Sequence, residues 1–167
     1  MEATTMNKRS MDTLIVLYDL HTKLFHNVIE RISDKDAQNR LNTKANHVAW
    51  LTGSLVHERY ELSNATGNSR RHGAYELFRD HKGIQDTITY PSLAEFNNDW
   101  EKISPELRNA LLNLSEEQLE SDDPYGMPGE NLTFFDALTF IMDRESYCIG
   151  QIGLYRRLLG YEAMKYQ

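Results

Sequence analysis

Arg144 and Cys148 stand four residues apart in a segment whose apolar residues recur at helical spacing, so both side chains leave the helix on one side. A guanidinium beside a thiol allows two kinds of chemistry. Its fork of N–H donors can hold an anionic ligand. Its charge can also lower the thiol pKa and make Cys148 a nucleophile, with Arg144 as activator and Tyr147 or His57 as proton donor. Tyr147, Gln151 and Tyr155 follow on the same helix and are candidates to line a pocket mouth and hydrogen-bond a ligand. The plainer alternative is that Arg144 pairs with Asp143, Glu145 or another carboxylate, while Cys148, the only cysteine, is core packing.

A second stripe carries His47, Trp50, Ser54, His57 and Glu61. His47 and His57 are about 15 Å apart along a helix, too far to share one ion. His57 with Glu61 and Cys148 is a conceivable alternative metal set, with no motif behind it. His21 lies on an apolar stripe, where a packed, hydrogen-bonded imidazole is the common role and a ligand or proton-transfer role the rarer one. His26, His72 and His81 read as solvated or loop positions. The sequence has no Gly-rich phosphate loop, serine-nucleophile elbow or zinc-protease motif.

These side chains belong to a chain of 167 residues, 40% apolar and 26% charged, which is ordinary composition for one globular domain spanning 1–167. One cysteine excludes an intrachain disulfide and a cysteine-only zinc site. A net charge of −7 argues against general nucleic-acid binding, which needs clustered cations. No apolar run approaches the roughly 18 residues a membrane span requires. The stretch Met1–Arg9 is polar and lacks the apolar core of an export signal, so a cytoplasmic protein with no membrane partner is expected.

Four segments must position the candidate residues. Helical periodicity covers about 10–33, 43–65, 92–114 and 133–160. Asn42 or Thr43 could cap the second, and Gly67 is a natural stop. Ser92 with Glu95 fits a capping box for the third, where Ser104-Pro105 predicts a kink or restart. Arg156 and Arg157 suit the dipole at the end of the fourth, with Gly160 as its stop. Long connections follow the second and third segments, and the first of them has room for a short helix at 74–78. No stretch alternates strongly enough for a sheet, so the expected class is all-α, a helical bundle.

The run Asp143-Arg144-Glu145-Ser146-Tyr147-Cys148-Ile149-Gly150-Gln151-Ile152, continued by Leu154-Tyr155-Arg156-Arg157-Leu158-Leu159-Gly160, resembles the last helix of the DinB/YfiT-like family. The usual pattern there is His-Glu-x-Tyr-His-x-Gly-Gln-Ile, then Leu-x-Arg-Arg-Leu-Leu-Gly. Asn46-His47-Val48-Ala49-Trp50-Leu51-Thr52-Gly53-Ser54-Leu55 resembles the family's Asn-x-x-x-Trp-x-x-Gly-His-Leu, and Tyr90-Pro91-Ser92-Leu93 with Trp100 fits its third helix. The resemblance implies a four-helix bundle, often a homodimer. Many members bind nickel or zinc through three histidines, and some are metal-dependent thiol transferases or isomerases. The family name refers to damage-inducible regulation and implies no action on DNA.

Carried over residue by residue, the three histidines fall on Ser54, Arg144 and Cys148, while Trp50, Gly53, Glu145, Tyr147, Gly150 and Gln151 keep the pattern. A fixed positive charge about 4 Å from a divalent ion costs roughly 8 kcal/mol at an effective dielectric near 20. No metal cofactor is therefore expected. The expected function is binding of a small molecule, unidentified and possibly anionic, or of a partner protein, in a pocket built from Ser54, His57, Arg144, Cys148, Gln151 and Tyr155. The alternative is a transferase- or hydrolase-like enzyme that uses Cys148 or an altered metal set.

Overall fold

A computed structural model describes residues 2–166, with side chains from Ser10 to Tyr166; the side chains of Met1–Arg9, and with them the polar N-terminal stretch, lie outside the described residues. Its elements are α1 (Glu2–Ile29), α2 (Asp34–Ala37), α3 (Val48–Ala65), α4 (Tyr75–Phe78), a 3-10 turn (Arg79–His81), α5 (Leu93–Leu112), α6 (Glu116–Leu119) and α7 (Phe134–Leu158). The described residues are all-helical apart from an isolated antiparallel bridge between Asp122 and Thr133. None of these helices is long and apolar enough to cross a membrane.

Local chemistry accounts for most helix ends. Ser92–Glu95 is a capping box, as expected, and Ser115–Gln118 and Thr133–Asp136 form two more. The second long helix starts later than expected. Leu41 and Asn42 take positive φ and turn the chain, so neither Asn42 nor Thr43 caps it; the His47 side chain accepts from the Trp50 amide instead. The first long helix starts well before residue 10 and stops at Ile29, short of 33, where Arg31 adopts φ 63. Helix α5 runs unbroken through Pro105. The carbonyl that Pro105 leaves without a partner is that of Glu101, on the exposed side, where water can serve it.

Cross-helix pairs define the packing. His21 meets Glu145 and Arg156 reaches the Val28 carbonyl, so α1 and α7 run parallel. Asn97 meets His26 and Arg108 meets Asp19, so α5 is antiparallel to α1. Gly53 lies against Phe96 and Arg59 bonds Ser104, so α3 and α5 are parallel. Arg59 bonds Glu145 while Thr43, just before α3, lies near Tyr155, so α3 and α7 are antiparallel. The core between them includes Phe25, Leu51, Leu55, Trp100, Ile103 and Ile152, with Phe25 stacked on Trp100 at 4.0 Å. Gly53 is required by close approach, because a Cβ there would lie 2.3 Å from Phe78 and 2.5 Å from Phe96. Arg156, in the last turn as expected, is also buried and binds the carbonyls of Val28, Glu30 and Glu162, tying α1 and the C-terminal tail to α7.

Candidate functional site

Arg144 extends from α7 across to α3. Its Nη1 donates to Glu58 Oε2 at 2.5 Å and its Nη2 to Ser54 Oγ at 2.6 Å. Ser54 and Glu58 are one helical turn apart, so they offer two acceptors on one face at the spacing a planar fork can bridge. The guanidinium thus sits at the wall of a cavity of about 480 Å³. Trp50, His57, Glu61, Tyr75 and Phe78 add to the same wall, and Tyr125 and Met127 approach it from the α6–α7 connection.

The electrostatics of this wall follow from burial. Burial pushes the Glu58 carboxyl up to about 7, and the adjacent Arg144 charge offsets that only in part. Cys148 lies one turn beyond Arg144 and is buried. Its burial outweighs the guanidinium and raises the thiol to about 11, the reverse of the activation that the i, i+4 spacing suggests.

His57 is not alone. Its Nδ1 lies 3.0 Å from His72 Nε2, and rings of Tyr75 and Phe78 pack around both imidazoles. Burial drives both histidines down to about 4, so both are neutral at pH 7 and one donates to the other. His72 lies in a loop, as expected, but is not solvated: it is 5% exposed, and its Nδ1 has no partner among the described residues. The turn 79–82 closes the same side of the cavity, with Asp80 and His81 both at positive φ. There Arg79 pairs with Glu76 at 2.7 Å, and Lys82 Nζ donates to the Glu76 carbonyl.

Behind the cavity lies a charge cluster with its centre at Arg59, a residue the sequence pattern did not single out. Arg59 is wholly buried, its guanidinium 3.5 Å from the Trp100 ring centre and 4.0 Å from that of Tyr18. It grips both oxygens of the wholly buried Glu145, at 2.6 and 2.9 Å, and its Nη1 donates to Thr22 and Ser104. His21 makes the third contact to Glu145, at 3.2 Å, so it is a packed, partnered imidazole. Burial alone would raise the Glu145 carboxyl; Arg59, with His21, outweighs it and holds the group below the ordinary range. The only signal for Arg59 in the sequence is its place between Leu55 and Leu62 at the helical spacing of the apolar stripe Val48, Leu51, Leu55, Leu62.

Of the expected pocket residues, Ser54, His57 and Arg144 come together at the cavity, whereas Cys148, Gln151 and Tyr155 lie outside its lining. Tyr155 is buried near Thr43, at 3.5 Å between hydroxyls. Tyr147 is 67% exposed on α7. Arg144 pairs with Glu58 rather than with Asp143 or Glu145. A hydroxyl, a guanidinium bonded to a carboxylate, and a protonated thiol do not fit a divalent ion, which needs deprotonated donors and no competing cation. Among the described residues no three His, Cys, Asp or Glu side chains converge as ion ligands. In comparisons with known proteins, the chain matches no family model and no curated protein.

Proposed function

We propose that this chain is a DinB-like four-helix bundle, adapted to bind a small ligand through an anionic group seated on Arg144. The observation that carries the reading is the position of that guanidinium, held from one side by Ser54 and Glu58 at the edge of a cavity of ligand size. Among the described residues only two of its N–H donors are engaged, and the side chain is 36% exposed, so the remaining donors can meet a carboxylate or phosphate. Glu58 is suited to yield: protonated, it gives up its claim on Arg144 and leaves the cation free for the ligand. The neutral imidazole of His57, backed by His72, and the rings of Trp50, Tyr75 and Phe78 supply the apolar and hydrogen-bonding walls. The same reading makes the protein a cytoplasmic homodimer in which the arginine stands where relatives hold nickel or zinc.

Titration calorimetry with 3-phenylpropionate tests it. Binding to the wild type should weaken at least tenfold in Arg144→Gln. An affinity that ignores the substitution removes the basis of the reading, and elemental analysis showing one zinc or nickel per chain, lost on changing Cys148, would also overturn it.

A further inference from the structure

Glu61 lies three residues beyond Glu58 on α3, on the same cavity wall, and has no hydrogen-bond or ion-pair partner among the described residues. It is half-buried. The cations nearby are engaged elsewhere: Arg79 with Glu76 and Asp80, Lys82 with a backbone carbonyl, Arg144 with Glu58. Tyr125 lines this side, its hydroxyl buried without a hydrogen-bond partner among the described residues. Glu58, Glu61 and Tyr125 line the same cavity, and burial raises the Tyr125 hydroxyl, with the charges of Glu61 and Glu58 raising it further. Carboxylates beside aromatic faces are what an ammonium ion seeks. The rise from Glu58 to Glu61 is about 4.5 Å, which puts an anion seat and a cation seat within the length of one small molecule.

Building on the anion site at Arg144, we infer that the ligand is a zwitterion of the amino-acid type, with its carboxylate on Arg144 and its ammonium between Glu61 and the Tyr125 ring. An ammonium there gives Glu61 the partner it lacks. With Glu58 holding its proton, the two ligand charges face Arg144 and Glu61 one to one, and no charge in the wall is left over.

The test uses three probes of one shape: L-phenylalanine, 3-phenylpropionate and 2-phenylethylamine, titrated at pH 6, where Glu58 holds its proton, into the wild type, Glu61→Gln and Arg144→Gln. Phenylalanine should bind at least tenfold more tightly than either singly charged probe. Glu61→Gln should remove that gain without weakening 3-phenylpropionate. If 3-phenylpropionate binds as tightly as phenylalanine, or Glu61→Gln does not affect phenylalanine, the ammonium seat is wrong while the anion site stands. If no probe depends on Arg144, both fall. Circular dichroism of each variant confirms that the helices are intact.

Discussion

Arg144 and Glu58 meet across the α3–α7 seam at 2.5 Å, with the carboxylate the more deeply covered of the two, at 19% side-chain exposure against 36%. The pair is thus unequal. Losing the arginine strands a covered carboxylate, whereas losing the glutamate frees a cation that can reach solvent. Arg144→Leu should therefore destabilise the fold by roughly 1–3 kcal/mol, below the 3–5 kcal/mol typical of a fully buried pair because the arginine is partly exposed. Adding Glu58→Gln should recover part of the loss. Urea unfolding of the two single variants and the double variant gives the coupling directly, and strict additivity would mean that the contact contributes nothing.

The cavity wall and the histidine pair at its edge carry two opposed pH dependences. Glu58 titrates at about 7 in the folded chain against an ordinary 4.5. Between those values the folded state keeps a proton that the unfolded chain releases, so this contribution is complete below about 4.5 and is lost as pH rises through 7. His57 and His72 titrate at about 4 against 6.5. Their contribution is complete above 6.5 and is lost as pH falls toward 4. Urea midpoints measured from pH 4 to 8 should show Glu58→Gln gaining on the wild type as pH rises, and His72→Phe gaining on it as pH falls.

Arg59 and Glu145 have no solvent to retreat to, both being at 0% exposure. Arg59→Ala should cost about 3–5 kcal/mol, the range for breaking a buried pair from one side. Arg59→Lys should rescue little, because an ammonium cannot grip both oxygens of Glu145 and stack between Tyr18 and Trp100 at once. Full stability of the lysine variant in urea would show that charge alone suffices.

Cys148 should be inert. A thiol at about 11, against an ordinary 9, holds about a hundredfold less thiolate at neutral pH. Iodoacetamide at pH 7.5 should react with it at least about a hundredfold more slowly than with free cysteine. Arg144→Leu should slow it further, since the guanidinium is the charge that favours the thiolate. Rapid labelling of the native protein would return Cys148 to the list of nucleophiles.

What the sequence determined by itself is local. The all-helical class, the four long helices, the box at Ser92–Glu95 and the stops near Gly67 and Gly160 depend on hydrogen bonds and side-chain periodicities that span four residues or fewer. The spacing of Arg144 and Cys148 likewise put both on one side of α7. Tertiary structure decided whom those residues meet. Glu145 lies 86 residues from Arg59, Arg144 lies 86 from Glu58 and 90 from Ser54, and nothing in either local pattern names the partner. The same holds for His72, which the loop folds under Tyr60 and Tyr75, and for Cys148, whose burial overrules the neighbouring charge. Charge and burial are sums over every neighbour in space, so the chemistry of a site emerges only when distant helices pack.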